Sequence, residues 1–514
     1  MITLIEIDGF KAFKDFKVEL APFQIIVGPN GSGKSNLFDA LKLLSRIADN
    51  DLNTAFQELR GEANELFTTL PGGRSVDRIR IAVEMLVNRK LKDRGDGEIE
   101  LIGDDVALRK EITLKFTRLR YELELTHGTD GYGLEQLYVT HESLKSILAD
   151  DDNWCRKYGL SSQNNWLPAP SKDQAIFIDT KLTTIAILES AADKSEAEAK
   201  QHLIYLYPDS SLYPGSDLYP GSDKQERIRR FYTVEVQRTV LSRVDDTDHP
   251  HILAAREEFR SLKFLQLNPE VLRQPSSMKA PTVISTNGSN LPTMLARMQT
   301  EDKFALTDVS RDMANLVPGI LKIRVEQDKP SDKYVIYAET SDQRSFSSQV
   351  LSDGTLRLLV IATLRNDSQF HGILFLEEPE NGVHPQRLRK LTQLLRSMAT
   401  TFDDLEEVDE PLRQVLITTH SPLFISLPEV VDSLHFAYIM TRVEPLSSGN
   451  PTLEITCMTP VVTPGTQIQF GIDSRRDETM EVYTLDQVLR YLDSENLDEA
   501  RKQLKKARTI LNKA

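Results

Sequence analysis

One segment near the start of the chain, FQIIVGPNGSGKSN at 23–36, restricts the fold more than any other. An apolar, β-branched run leads into a loop of the form G-x-x-x-x-G-K-S, and a helical pattern, NLFDALKLLSRI, follows it. Strand, glycine-rich loop and helix in this order are the context that a phosphate-binding loop requires. A chance glycine-rich turn is disfavoured because the motif and its context coincide. The segment therefore predicts an α/β unit with a site for phosphate.

The loop supplies the groups that a triphosphate needs. Its glycines let backbone N–H groups turn toward phosphate oxygens, and the next helix adds the positive end of its dipole. Lys34 can reach the β- and γ-phosphates, and Ser35 can ligate Mg²⁺. The predicted nucleotide-binding residues of this segment are Gly28, Pro29, Asn30, Gly31, Ser32, Gly33, Lys34, Ser35 and Asn36.

Two adjacent carboxylates end a second apolar run, in ILFLEEPENGVHP at 373–385. Glu377 and Glu378 repel each other, and charge at a buried strand end is costly. A strand that simply surfaces at its end would account for most such runs. A bound divalent cation and its waters offset the repulsion. With the phosphate-binding loop present, the pair predicts that Glu377 holds Mg²⁺ and that Glu378 polarises the attacking water.

A serine-rich turn precedes a helical pattern in QVLSDGTLRLLVIATL at 349–364. Ser352, Asp353 and Gly354 stand just before the apolar helical spacing begins. Such a turn at a helix N-terminus can bind an anion. Taken alone, the turn is better explained as an ordinary N-cap.

A β-rich run, QVLITTHSPLFI at 414–425, ends in His420. A lone histidine at a strand end is usually structural. Here one helical segment, 385–399, separates it from the carboxylate strand, as expected for neighbouring strands of a parallel sheet.

The ordered set GPNGSGKSN, LSDGT, ILFLEEPENGVHP and TTHSP resembles the ABC-type ATPase heads of the SMC/RecF group. It is most similar to the bacterial AAA_21 or OLD-like branch. The opening LIEIDGFKAFKDFKVEL and the stretch that starts FLQLNPEVLRQPS belong to the same resemblance. The predicted fold is therefore α/β, a P-loop ABC-type ATPase head with a mixed β-lobe and a parallel nucleotide-binding sheet, split by a largely helical insertion.

The resemblance also implies a role for each motif. ATP is bound and hydrolysed with Mg²⁺, in a homodimer or higher oligomer formed through the heads. The implied roles are Walker A for Gly28–Ser35, signature for Ser352–Gly354, Walker B acid for Glu377, catalytic carboxylate for Glu378, dimer-contact loop for Asn381–His384 and γ-phosphate-sensing switch for His420. The family's Mg²⁺-contacting glutamine is not placed, and Gln57 and Gln163 are the candidates.

The motifs divide the chain unevenly, because 317 positions separate Ser35 from Ser352. A chain of 514 residues is long enough for two or three structural units. β-rich runs at 79–87, 111–126 and 133–140 continue a β-lobe, and 321–338 predicts a hairpin. The predicted parts are 1–140, the first part of the head; 141–317, a mostly helical insertion; 318–445, the second part of the head; and 446–514, a strand and helices.

The insertion contains three tandem hexapeptides, LYPDSSLYPGSDLYPGSD at 206–223. Repeat expansion in a tolerated surface loop explains them by composition. The alternative is a strip that docks a partner through its tyrosines. The basic run KQERIRRF at 224–231 is more consistent with a solvated helix face than with a nucleic-acid contact, although it is the best basic candidate for one.

Composition and charge limit the remaining classes. A net charge of −15 argues against a surface built mainly for nucleic acid. The start MITLIEIDGF lacks the features of a signal peptide, and no apolar run reaches the roughly 18 residues of a membrane span. Cys155 and Cys457 lie far apart and are expected to be buried thiols. We expect a soluble cytoplasmic protein that makes no membrane contact.

Three classes of function compete. The first is an ATP-driven dimeric switch that regulates a separate effector, a nuclease or toxin, in bacterial anti-phage defence. The second is a RecF-like ATPase that acts on DNA during repair or maintenance. The third is the ATPase subunit of a transporter, which the long insertion and the form EEPENGVHP disfavour. Fewer than a hundred residues follow His420, and none of them resembles a nuclease domain, so the effector is expected on another chain.

Overall fold

The structure is a computed structural model that describes most of the chain. The described residues are 1–61, 63–92, 111–129, 135–163, 165–168, 173–186, 198–206, 237–244, 249–403, 410–443, 452–462 and 483–492.

The strands and helices are numbered along the chain. The strands are β1 (Ile2–Asp8), β2 (Phe16–Glu19), β3 (Phe23–Val27), β4 (Arg78–Leu86), β5 (Lys90–Lys92), β6 (Glu111–Thr113), β7 (Arg118–Thr129), β8 (Glu135–Ser146), β9 (Ile176–Ala186), β10 (Glu198–Leu206), β11 (Leu262–Leu265), β12 (Ser276–Ser277), β13 (Ile320–Asp328), β14 (Lys333–Thr340), β15 (Ser345–Ser347), β16 (Gly372–Glu377), β17 (Arg413–Thr419), β18 (Leu434–Val443), β19 (Thr452–Val462) and β20 (Tyr483–Thr484). The helices are α1 (Lys34–Ile47), α2 (Leu52–Gln57), α3 (Asn153–Lys157), α4 (Pro250–Arg260), α5 (Pro269–Leu272), α6 (Leu291–Glu301), α7 (Ala305–Leu316), α8 (Asp353–Arg365), α9 (Leu388–Arg396), α10 (Pro422–Ile425) and α11 (Leu485–Leu492).

The first sheet is antiparallel throughout, in the order β10-β9-β8-β7-β4-β1-β2. Apolar and polar residues alternate along β4, RIRIAVEML, so that one face is buried while the arginines stay exposed. The strands predicted near 79–87, 111–126 and 133–140 are confirmed as β4, β7 and β8. This sheet is the predicted β-lobe.

The second sheet, β11-β16-β17-β3-β18-β19-β20, is the nucleotide-binding sheet predicted from the motifs. Its strands from β11 to β18 run parallel, and β19 pairs with β18 in the antiparallel sense. β3 is buried at every position. Central strands of parallel sheets are covered on both faces, which explains why ILFL is a continuous apolar run and FQIIV is apolar except for the buried Gln24.

Two hydrophobic cores cover the two faces of this central sheet. Ile26 and Phe375 join the core that contains α1 and the inner face of the first sheet. Their neighbours Ile25 and Leu374 point the other way, into the core formed with α6 to α9. Because successive side chains of a strand alternate between faces, each central strand anchors both cores. The sheet edge that carries the motifs is thereby fixed between two packed layers.

A third, smaller sheet has the order β12-β14-β13, and β15 also pairs with β14. β13 and β14 form the hairpin predicted for 321–338. The sheet packs on α6 and α7. In the sequence, its last strand precedes the segment that leads into α8.

The described residues of 141–317 form strands as well as helices. They include the helices α4, α6 and α7, as expected. They also include β9 and β10, which pair with each other and extend the first sheet through β8. The prediction missed these strands because their pairing with β8 is a tertiary property. The division into four parts stays a prediction.

Several predicted features lie outside the described residues. These are the hexapeptide repeat from 207 onward, the basic run 224–231 and the end of the chain after 492. Among the described helices, none has both the length and the apolar character that crossing a bilayer requires. The side chain of Cys155 is buried and that of Cys457 is partly buried.

Candidate active site

Three motif segments meet at the carboxyl ends of three neighbouring parallel strands. β3 lies beside β17, with Val27 opposite Thr419, and β16 lies on the other side of β17, with Glu377 opposite Thr418. The loops that leave these strands therefore share one edge of the sheet. In open α/β sheets this edge is where ligands bind.

A cleft of about 480 Å³ opens at this edge. It collects residues from the glycine-rich loop, the segment of the paired carboxylates and four other parts of the chain. The lining residues are Asn30, Gly31, Gly33, Lys34, Ser35, Arg60, Gln266, Leu267, Arg357, Glu377, Glu378, Asn381 and Thr418. The volume suits a cofactor-sized ligand.

The glycine-rich loop depends on a glycine where α1 begins. Gly33 is the N-cap residue of α1 and has φ 89°, in the left-handed region that favours glycine. A Cβ built there would lie 2.1 Å from the Oγ1 of Thr456 on β19. Both the backbone conformation and the close approach of β19 thus exclude a side chain. Ser32, just before it, is buried, and its Oγ has no hydrogen-bond partner among the described residues.

Lys34 reaches back over the loop that precedes it. Its Nζ donates to the carbonyl oxygens of Gly28 at 2.7 Å and Pro29 at 2.8 Å. Burial lowers the pKa of the Lys34 ammonium to about 8, and the carboxylates of Glu378 and Glu377 act in the opposite direction. A partly buried cation beside a glycine-rich loop favours an anionic ligand.

Glu378 is held by three contacts. Its backbone has φ 49°, unusual for a residue other than glycine, and its N–H donates to the carbonyl of Thr418 at 2.9 Å. The Nδ2 of Asn381 donates to Oε2 at 2.6 Å. The Nδ1 of His420 is hydrogen-bonded to Oε1. Residues in this backbone region cluster at functional sites, and a carboxylate oriented by an imidazole is an arrangement used for general-base chemistry.

The buried side chain of Glu380 connects the loop that carries Glu378 to the loop that carries His420. Glu380 is 7% exposed, and its Oε1 accepts a hydrogen bond from the hydroxyl of Thr419. That hydroxyl also accepts from the N–H of Ser421 at 2.9 Å. Burial raises the pKa of Glu380 above its ordinary value, while the bond from Thr419 opposes the shift. The contact fixes the loop that carries His420 against the loop that carries Glu378.

The oxygen ligands fit a magnesium ion that is held mainly by its nucleotide. Ser35 and Glu377 line the same cleft, and hydroxyl and carboxylate oxygens are ligands that Mg²⁺ accepts. Within the described parts of the chain, no group of three or more His, Cys, Asp or Glu side chains is arranged to hold a metal. Mg²⁺ commonly needs only one or two carboxylates when phosphates complete its shell. The residues present therefore fit the ion.

The predicted signature lies apart from this cleft. Ser352 is the N-cap of α8, and its Oγ accepts from the N–H of Thr355 at 3.3 Å. Ser352 and Asp353 are exposed and are not among the residues that line the cleft. Gly354 touches the loop after the carboxylates, since a Cβ there would lie 2.1 Å from the oxygen of Gly382. The structure thus brings together the first and third motifs and His420, and leaves Ser352 and Asp353 of the signature on the surface outside the cleft.

A family model described as AAA ATPase domain, AAA_15, matches residues 1–425. The chain belongs to this ATPase family. The predicted α/β ATPase head, with a β-lobe and a parallel nucleotide-binding sheet, is confirmed. The AAA_21 or OLD-like branch suggested by the motifs stays a prediction.

Sequence similarity extends to proteins that partition chromosomes. A stretch of 183 residues is 26% identical to the chromosome partition protein Smc of Bordetella petrii, and covers 35% of this ATPase and 14% of that protein. Another of 128 residues is 31% identical to Smc of Rhodopirellula baltica, and covers 22% and 10% of the two chains. The alignments thus span a small part of both relatives. A solved Smc head bound to the C-terminal winged-helix domain of ScpA is 11% identical, with a TM-score of 0.40 over 88% of this chain and 98% of that one.

Three polar residues of the cleft were not predicted from the sequence. Gln266 follows β11, which pairs with β16, and therefore lines the cleft beside Glu377. Arg60 and Arg357 add positive charge to the lining. The candidates Gln57 and Gln163, both described, are not lining residues. The position of Gln266 in FLQLN, directly after a short apolar run, was the available signal.

Proposed function

We propose that this ATPase is a dimeric switch that hydrolyses ATP with Mg²⁺ and regulates a separate effector. One observation carries the proposal. Ser352 and Asp353 of the signature are exposed and stand outside the chain's own cleft, whereas the other motifs meet in it. A site that uses all the motifs therefore needs the signature of a second copy, and a two-fold dimer then contains two identical sites.

The residues of the cleft support this chemistry. Lys34 and the loop N–H groups would bind the triphosphate, with Ser35 and Glu377 toward Mg²⁺. When bound, Mg²⁺ neutralises charge on the phosphates and orients them. Glu378 would accept the proton of the attacking water, with His420 keeping the carboxylate oriented. Gln266 would be the Mg²⁺-contacting glutamine that the motifs left unplaced, since it lines the cleft beside Glu377.

The biological role that we propose is bacterial anti-phage defence in the cytoplasm, with a nuclease or toxin as the effector. It is supported by the motif resemblance to the OLD-like branch. Purification of the chain from its native operon, followed by identification of bound proteins, tests it. A nuclease or toxin in the complex supports the role, and recovery of permease subunits contradicts it.

A second candidate is a DNA-maintenance ATPase. It is favoured by the curated relatives, which are chromosome partition proteins. The net charge of −15 argues against it, because binding to DNA is driven largely by basic residues. Hydrolysis that rises several-fold when duplex or gapped DNA is added would favour this function over the effector switch.

Mixed dimers test the shared site. Lys34→Ala removes a phosphate-binding cation, and Ser352→Arg puts a bulky cation where the signature would meet the γ-phosphate. Each variant alone should be inactive. After free exchange of equal amounts, half of the dimers are mixed, and each mixed dimer has one intact site and one site with both lesions. Independent sites should then restore about a quarter of wild-type activity.

Cooperativity needs a separate measurement, since a dimer that hydrolyses only with both sites intact would stay inactive. Glu378→Gln should retain ATP and accumulate as a dimer, detected by light scattering with and without ATP. Lys42→Ala, on the outer side of α1, is the matched control and should behave as the wild type in both assays. A chain that neither complements nor dimerises with ATP contradicts the dimeric switch.

A further inference from the structure

The signature contains an acid at an exposed position. Asp353 is the first residue of α8, directly after the N-cap Ser352, and 54% of its side chain is exposed. On the proposed function, which this inference assumes, the terminal phosphates of the partner's ATP would lie against this helix start. A carboxylate beside phosphates repels them, and the repulsion grows when water is excluded between two heads. An uncompensated Asp353 would therefore oppose the binding that Ser352 favours.

Arg273 supplies the compensating charge. Its Nη2 donates to the Oδ1 of Asp353 and, at 3.3 Å, to the carbonyl oxygen of Leu351. The arginine is held at its backbone too, because the Oγ of Ser348 donates to the Arg273 carbonyl at 3.0 Å. Its side chain is 27% exposed. One guanidinium thus contacts the residues on both sides of Ser352.

The segment that carries Arg273 begins in the nucleotide cleft. Gln266 and Leu267 line the cleft. The side chain of Asn268 then caps α5 by accepting a hydrogen bond from the N–H of Glu270 at 3.0 Å. Helix α5 in turn packs on α8. Arg273, which holds the signature, therefore lies only seven positions after Gln266 of the chain's own cleft. The position of Arg273 is set by this short, capped segment.

We propose that Arg273 is a positioning residue of the ATPase reaction. It neutralises Asp353 and fixes Ser352–Gly354 in the orientation that receives the partner's ATP.

The alternative is an ordinary surface ion pair. An acid in the first turn of a helix is favourable by itself, and exposed ion pairs contribute little to stability. Under this alternative, loss of Arg273 changes neither the melting temperature nor hydrolysis. Under the proposal, loss of Arg273 leaves the melting temperature nearly constant but lowers the rate of ATP hydrolysis. Measuring the melting temperature and the hydrolysis rate therefore distinguishes the proposal from the alternative.

A double-mutant cycle in the full-length protein tests the charge compensation. Arg273→Ala should lower kcat/KM for ATP about tenfold, which corresponds to about 1.4 kcal/mol. In the Asp353→Asn background, the same change should have less than about a twofold effect, because no carboxylate is left to neutralise. Arg273→Lys, which keeps the charge, should lie between the wild type and Arg273→Ala. Arg311→Ala removes an exposed arginine paired with Asp308 at 2.6 Å on α7, and as the control should leave kcat/KM unchanged.

Salt and dimerisation provide the remaining measurements. Raising the salt concentration should reduce the defect of Arg273→Ala relative to the wild type, because screening weakens the repulsion. ATP-dependent dimerisation, measured in the Glu378→Gln background, should weaken about tenfold with Arg273→Ala. A defect of equal size with and without Asp353→Asn, or no defect at all, overturns the proposal. If Ser352→Arg stays active, or if Glu378→Gln never dimerises with ATP, the dimeric switch itself fails, and the two failures are thereby distinguished.

Discussion

Glu378 and His420 are 42 positions apart in the sequence, and the Nδ1 of His420 is hydrogen-bonded to the Oε1 of Glu378. Parallel pairing of β16 with β17 puts Glu377 opposite Thr418, so the residues just beyond these strands fall side by side. The Nδ2 of Asn381 donates a hydrogen bond to the other carboxylate oxygen of Glu378. We therefore expect Glu378 and its partners to act as a unit in hydrolysis.

Glu378→Gln should bind ATP with nearly wild-type affinity and hydrolyse it slowly. The amide cannot accept a proton from water, and loss of general-base assistance costs about 10²–10⁴-fold in rate. Phosphate release gives the rate, and calorimetry gives the affinity. Wild-type turnover in this variant would leave Glu377 or His420 as the base.

His420→Ala should lower kcat by about 10- to 100-fold, because the carboxylate of Glu378 loses one of its orienting contacts. The double variant with Glu378→Gln should be no slower than Glu378→Gln alone, since groups that act together are not additive. Single-turnover rates of the three variants measure this. Additive losses would show that His420 acts independently of Glu378.

Lys34→Ala should lose ATP binding as well as turnover, because Lys34 neutralises phosphate charge in the ground state. Calorimetry with the Glu378→Gln background avoids consumption of ATP during the titration. Lys42→Ala on the same helix, whose Nζ donates to the carbonyl of Glu58 at 3.0 Å, is the control and should bind normally. Unchanged affinity in Lys34→Ala would exclude the phosphate-binding role of the loop.

Local sequence patterns were sufficient to predict the buried strands and the loop–helix junction that carry the motifs. FQIIV and ILFL are largely apolar runs, and both lie in strands buried in the central sheet. The glycine-rich loop begins α1 as expected, with Gly33 in the left-handed region. The order of the motifs was sufficient to place His420 at the end of a strand next to the carboxylate strand, and the pairing of β16 with β17, which ends at Thr419, confirms that the two strands are neighbours.

Contacts between distant segments could not be predicted in this way. Gln266 enters the cleft only because β11 pairs with β16, and the sequence around it has no fixed spacing to either motif. Arg60 and Arg357 are ordinary surface-type residues until folding places them at one cleft. The strands β9 and β10 were missed for the same reason, since their partners in the first sheet determine them.

Thr419→Val should destabilise the fold and slow hydrolysis. It removes the hydroxyl that donates to the buried carboxylate of Glu380, and leaving a buried polar group unsatisfied costs about 1–3 kcal/mol. Thr459→Val is the matched control, because its buried hydroxyl has no hydrogen-bond partner in the described structure. Scanning calorimetry should show a lower melting temperature for Thr419→Val only. Equal melting temperatures for the two variants would argue against the role of Glu380 as a connection between the loops.

Glu142 should make stability depend on pH. Burial raises the pKa of this carboxyl to about 7, although N–H groups of Val240 and Leu241 donate to it. The folded protein therefore holds a proton that the unfolded chain releases near pH 4.5, so the stability contribution of the group is present at low pH. It is lost between about pH 4.5 and 7, on the order of 3 kcal/mol in total.

Melting temperatures between pH 5 and 8 check this dependence. The wild type should lose more stability across that interval than Glu142→Gln, which has no proton to release. Glu122→Gln is the control, because hydrogen bonds and charge from Arg120 outweigh burial and keep the pKa of Glu122 below its ordinary value, outside the interval. Parallel pH curves for the wild type and Glu142→Gln would show that Glu142 is ionised throughout.

Because β3 lies between β17 and β18, its pairing in the central sheet must wait until the ribosome has made both of these strands. The backbone of β3 ends at Val27, and its partners begin at Arg413 and Leu434. At about 5–20 residues per second, a ribosome needs roughly 20–80 s to add the intervening chain. During that time β3 is an apolar strand with both edges unpaired, which favours association with other chains. Nascent chains that stop before residue 413 should therefore aggregate or depend on chaperones, and slower growth at low temperature should raise the yield of folded protein.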